Sequence, residues 1–176
     1  AVKNEQSFQE WVVEDHGNST VLKTIVEKMA GAELSDKLYS RLLYAASSAI
    51  RGNGVVQKSF LDLSGPEIVL RVLNRGLRQA QTKALTLVSD LVSESEWSQL
   101  DESSPLVDLR KQFSSESWCK AIVEATKIDL GLRYLEKALV TFETLIPYCY
   151  NIYIATSEET YFHNILSELQ ADSNEM

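Results

Sequence analysis

The stretches 42–50, LLYAASSAI, and 84–92, ALTLVSDLV, decide the fold of this chain. Displaced by 42 positions they superpose apolar residue on apolar residue, and Ser47 falls on Ser89. The preceding segment repeats as well: Ile25, Val26, Met29 and Ala30 match Ile68, Val69, Val72 and Leu73 with one residue of slip. A third copy, 138–146, ALVTFETLI, follows after a displacement of 54, and the extra residues fall in the polar stretch 93–105, which reads as a loop. Within the copies apolar residues recur at i, i+4, i+7 and i+8, the spacing of one buried helix face. The first copy uses Leu38, Leu42, Ala45, Ala46, Ala49 and Ile50; the second uses Ala80, Ala84, Leu87, Val88, Leu91 and Val92. The third uses Tyr134, Ala138, Thr141, Phe142, Leu145 and Ile146, and Pro147 is expected to end it because proline cannot extend the hydrogen-bond ladder. No run alternates with period two, so the chain reads as all-α.

Capping residues mark the helix ends. Ser64-Gly65-Pro66-Glu67 predicts a helix start with a serine cap, a proline in the first turn and a glutamate three residues on. Ser7 with Glu10 offers a second capping box, and Ser35 precedes a helix over 36–51. Gly31, Gly52 and Gly76 stand where left-handed C-terminal residues are wanted. A last helix is expected over about 157–170, carrying Tyr161, Phe162, Ile165, Leu166 and Leu169.

Composition narrows the function. The 176 residues are 44% apolar and carry 17 Lys plus Arg against 25 Asp plus Glu, a net charge of −8. That is one globular domain's worth of core. The acidic balance argues against nucleic acid and anionic membranes as partners, since both need a basic footprint. No apolar run is long enough to span a bilayer. Two cysteines and two histidines, His16 and His163, lack the paired spacing of a zinc site, so no metal and no cofactor is expected. The segment Arg51-Gly52-Asn53-Gly54 lacks the spacing of a phosphate loop and reads as a helix stop. Cys119 or Cys149 with His163, Asp15 with His16, and the loop carboxylates Glu94 and Glu96 form no constellation that activates a nucleophile or moves a proton. No enzyme is expected.

A helical unit of about 42 residues lies in the range of armadillo and HEAT arrays. The run 42–53 resembles the third helix of an armadillo repeat, and 54–73 the short first helix plus second helix of the next. The expected fold is therefore an all-α, armadillo-like right-handed helical-repeat solenoid. It occupies one domain over 1–176, with repeats at about 7–51, 54–94 and 106–147 and a capping helix at about 157–170. More specific likenesses lie at Ala46-Ser47-Ser48-Ala49-Ile50-Arg51, in 56–65 (VQKSFLDLSG), in 87–94 (LVSDLVSE), at Ser117-Trp118-Cys119-Lys120 and in 161–166 (YFHNIL). Together these resemble the armadillo-type nucleotide exchange factors of the endoplasmic reticulum lumen that act on the chaperone BiP. The resemblance covers roughly 35–170 and implies a monomeric co-chaperone. It would bind the ATPase domain of a BiP-type 70-kDa heat-shock chaperone, favour its open cleft and so promote ADP release. It implies an endoplasmic reticulum location, with the cytoplasm as alternative. The chain ends Ser173-Asn174-Glu175-Met176 rather than in a retrieval tetrapeptide, and such proteins carry further N-terminal repeats. The chain is thus expected to be the C-terminal portion of such a protein, trimmed at both ends.

In armadillo arrays the third helices line the concave wall. With a core face of 42, 45, 46 and 49, positions 37, 41, 44, 48 and 51 point outward, and the copies form ladders across the wall. These are Lys37, Gln79, Arg133; Arg41, Lys83, Lys137; Tyr44, Thr86, Val140; and Ser48, Asp90, Thr144. The first two hold five cations and no acid on an acidic body, which suits a selective electrostatic partner surface; the alternative is ordinary solvated helix charge. Tyr44 is the candidate aromatic anchor; the alternative is a tyrosine leaning on its own helix. The last two ladders lack the Trp–Asn pattern of armadillo peptide-binding adaptors, the runner-up function. Cys119 and Cys149 fall at neighbouring ends of antiparallel helices, where either a bridge or two buried thiols fit. Asn18-Ser19-Thr20 is an N-glycosylation acceptor triplet or a polar helix cap.

Overall fold

The computed structural model describes residues 6–14, 20–31, 33–98, 106–128 and 130–156. Among these residues the chain forms nine helices and no strand: α1 (Gln6–Val13), α2 (Val21–Gly31), α3 (Asp36–Ile50), α4 (Gly54–Asp62), α5 (Gly65–Leu73), α6 (Arg78–Ser98), α7 (Arg110–Phe113), α8 (Glu116–Thr126) and α9 (Leu132–Thr156). Helices α3, α6 and α9 pack side by side as one layer. Helices α2, α5 and α8 back them, each against the long helix that follows it in sequence, while α1, α4 and α7 are shorter. The result is an armadillo-like helical solenoid in which each apolar face is covered by a neighbouring unit.

Local chemistry explains where the helices begin. Ser35 adopts an extended backbone and its hydroxyl accepts the Leu38 N–H at 3.4 Å. Asn53 caps α4, its side-chain oxygen accepting the N–H groups of Val55 and Val56, both at 3.1 Å. Asp36 acts across units. Its carboxylate accepts the backbone N–H of Gln79 at 3.0 Å and of Ala80 at 2.8 Å, placing negative charge at the N-terminus of α6. Gly52 and Gly76 take positive φ, +73° each, just past helix ends.

Several expected boundaries differ. Gly31 is the last residue of α2 and does not take the expected positive φ. Helix α1 already includes Ser7, so Ser7 does not precede it as a cap. Ser64 does precede α5 but sits in the left-handed region with no side-chain capping bond, because α4 and α5 are joined by only Leu63 and Ser64 and the chain must reverse there. The next residue, Gly65, lies under the Phe60 ring, which a Cβ would strike. Pro147 does not end the third long helix: α9 runs on to Thr156. The lost backbone hydrogen bond is offset by tertiary burial, since Cys149 and Tyr153 beyond the proline are buried and Tyr153 stacks on Phe142 at 4.4 Å. The helix expected over 157–170 lies outside the described residues.

The core runs continuously between the two layers. Trp118, Tyr39, Tyr134, Phe60, Phe113 and Phe142 are its largest members. All six apolar residues expected on the buried face of α6 are fully covered. On α3 the face is turned by about one residue. Tyr39, Leu43, Ala46, Ala49 and Ile50 are buried, while Leu38 is 42% exposed and Ala45 is also exposed. Burying a tyrosine ring and a leucine removes more apolar area from water than burying Ala45 with Leu38, so packing settles a rotation that periodicity leaves open. Cys119 on α8 and Cys149 on α9 are joined by a disulfide, their Cα atoms 5.6 Å apart. No helix among the described residues is long and apolar enough to cross a membrane.

Candidate functional site

The layer α3–α6–α9 presents an outer wall on which all twelve ladder positions lie. Lys37, Arg41, Tyr44, Gln79, Lys83, Arg133 and Val140 are exposed; Ser48, Thr86, Asp90, Lys137 and Thr144 are partly covered. Register between the helices is held by polar contacts one unit apart, such as the Thr141 hydroxyl donating to the Leu85 carbonyl at 3.0 Å.

Five of the twelve converge. Tyr44, Ser48, Lys83, Thr86 and Asp90, with Leu43, Ser47 and Arg51, line a cavity of about 200 Å³ between α3 and α6. The Lys83 ammonium stands 5.4 Å from the centre of the Tyr44 ring, a cation over an aromatic face. The hydroxyls of Ser48 and Thr86 donate to the carbonyls one turn back, Tyr44 at 3.0 Å and Thr82 at 2.9 Å, leaving their oxygens able to accept. Lys37, Arg41, Gln79, Arg133, Lys137, Val140 and Thr144 lie outside the cavity. Lys137 pairs with Glu136 at 2.8 Å, so it contributes less positive charge than the bare sequence implies.

The far end of the cavity holds an ion array of which the ladders contain only Asp90. Arg51 Nη1 meets Asp90 Oδ2 at 2.9 Å, and its Nε meets Glu94 Oε1 at 3.2 Å. Glu94 Oε2 also accepts the Gly52 N–H at 3.0 Å and the Gln57 amide at 3.4 Å. The buried Gln57 in turn accepts the Val107 N–H at 2.8 Å, fastening the segment after α6 to the second unit. The expectation of a loop is therefore corrected over 93–98, which includes Glu94; 99–105 lie outside the described residues. Helix α6 continues to Ser98, and the Glu94 side chain is only 22% exposed. Ser95 is buried beside it, donating to Leu91 O at 2.8 Å and accepting the Leu109 N–H at 3.1 Å. One signal could have found the array: Arg51 and Glu94 carry opposite charges about one unit apart.

The remaining candidates fall elsewhere. Asn18, His16 and His163 lie outside the described residues. The disulfide sits behind the wall, between α8 and α9. Among the described residues no group of three or more histidines, cysteines, aspartates or glutamates is placed to hold a metal ion.

A stack of helical units that shows one polar, partly basic wall with a cavity between two of its helices defines a helical solenoid of the armadillo type. The family model for the SIL1/FES1/HPBP1 C-terminal domain matches residues 15–176. The chain belongs to that family, the armadillo-like nucleotide exchange factors of Hsp70 chaperones. Comparison with curated proteins and with solved structures finds no match.

Proposed function

We propose that the α3–α6–α9 wall binds the ATPase domain of a BiP-type Hsp70 and promotes ADP release. The family match over residues 15–176 carries this reading. The uninterrupted wall and its exposed cations Lys37, Arg41, Lys83 and Arg133 support it as a surface for a charged partner. The chain acts by differential affinity. Binding the ATPase domain more tightly with its nucleotide cleft open than closed shifts the chaperone toward the open form, and ADP escapes faster. This step makes and breaks no covalent bond. The Cys119–Cys149 bridge supports an oxidising compartment, the endoplasmic reticulum lumen in preference to the cytoplasm.

The test is direct. The chain is mixed with the isolated ATPase domain of a luminal and of a cytosolic Hsp70, and release of labelled ADP is followed. Faster release with the luminal domain in particular is expected. Absence of both binding and acceleration with either domain overturns the reading, and acceleration of the cytosolic one alone overturns its compartment.

A further inference from the structure

The cavity between α3 and α6 has two chemically unlike ends. At one end Arg51 is bracketed by Asp90 and Glu94 at 2.9 and 3.2 Å, so its positive charge is already met within the wall. At the other end Lys83 meets no carboxylate among the described residues and rests over the Tyr44 ring. Between them Leu43 lies closed off beneath the cavity, and Ser47 lends a hydroxyl that makes no hydrogen bond among the described residues. An ammonium with unfilled donor capacity, a hydroxyl lining the same cavity and an exposed aromatic ring form a recess for one acidic side chain: methylenes against Tyr44, oxygens toward Lys83 and Ser47.

We propose that this cavity receives a single aspartate or glutamate from the chaperone's ATPase domain and so anchors the register of the complex. The inference rests on the exchange-factor reading above and adds the chemistry of one contact to it. Asp90 strengthens the argument. Fixed by Arg51 at the far end, it repels a second carboxylate and confines the incoming one to the Lys83 end, which turns a diffuse basic wall into an oriented site. The about 200 Å³ of space suits one side chain rather than a peptide segment.

The experiment measures the affinity of the chain for an Hsp70 ATPase domain at several salt concentrations, with ADP release in parallel. Lys83→Gln is expected to weaken binding about fivefold to tenfold and to flatten its salt dependence, and Lys83→Glu to weaken it further. Ser47→Trp fills the recess without changing charge and is expected to weaken binding to a similar extent. Lys83→Arg keeps the cation and should retain most of the affinity. Lys58→Gln removes an exposed cation from α4, outside the wall, and should change nothing. Because Lys83 is exposed, its variants should unfold with the wild-type midpoint, which separates lost contact from lost fold. Wild-type binding and exchange together with undiminished affinity in Lys83→Gln and Ser47→Trp overturns this inference and leaves the exchange reading standing. Failure of the wild type itself overturns the exchange reading and this inference with it.

Discussion

The carboxylate of Glu94 accepts the backbone N–H of Gly52 at 3.0 Å, and the two residues stand 42 positions apart. The sequence period and the hydrogen bond are the same length of chain, because the end of one long helix lies beside the equivalent turn of the next. The same carboxylate reaches Arg51 and Gln57, so one side chain ties the C-terminal end of α3 and the start of the second unit to α6.

Breaking that tie should loosen the seam between the first two units. We expect Glu94→Ala to destabilise the chain by about 1–2 kcal/mol, discounted for the partial exposure of both partners. A double-mutant cycle with Arg51→Ala should return a coupling above about 0.5 kcal/mol in urea unfolding. Strict additivity would show that the array is only a surface arrangement.

The disulfide closes a loop between residues 30 apart. In the chain-entropy account such a loop is worth about 3–4 kcal/mol, so Cys119→Ser with Cys149→Ser should lower the urea midpoint markedly. The oxidised protein should gain two hydrogens in mass on reduction under denaturing conditions. An unchanged mass would exclude the bridge.

Tyr134 is buried, and its hydroxyl has no hydrogen-bond partner among the described residues. Burial pushes its phenol up to about 12. The folded chain thus holds this proton more tightly than the unfolded one, where the value is near 10. The associated stability is complete below about pH 10 and declines as pH rises through about 12. Tyr134→Phe should remove part of that alkaline loss and raise stability near neutral pH by about 1 kcal/mol, since an unpaired buried hydroxyl is removed. A clear destabilisation at neutral pH would reveal a partner for the hydroxyl.

Charge on the wall can be tested as a whole. Replacing Arg41, Lys83 and Lys137 together by glutamate should weaken binding to the Hsp70 ATPase domain by more than about tenfold and reverse its response to salt. Arg41 and Lys83 should account for most of the loss, because Lys137 is already paired with Glu136. Undiminished affinity would remove the basic ladders from the interface.

Much of this architecture was legible in the residues, and the exceptions share a cause. The period of 42 and the six-residue face of α6 rest on local spacing, and they hold in the structure. The face of α3 differs from the one its spacing predicts because alanines on both sides leave the helix's rotation open until Tyr39 and Leu43 find their pockets. Proline's own chemistry predicts a stop at Pro147, yet Tyr153 stacking on Phe142 three turns back carries the helix through. Glu94 looked like one acid in a polar run, because nothing near it in sequence shows that Arg51 and Gly52 lie beside it. The cavity united Tyr44, Ser48, Lys83, Thr86 and Asp90 from the ladders but added Leu43, Ser47 and Arg51, which no single ladder contained.

By itself, then, the sequence determined that the chain is helical, that its helices recur at a set interval and which residues could face outward, since periodicity and caps act over a few residues. Only the tertiary structure decided which side of α3 is buried, how far α6 and α9 extend and which charges meet. Those outcomes depend on side chains some 40 residues apart competing for the same space, and short-range spacing carries no record of that competition.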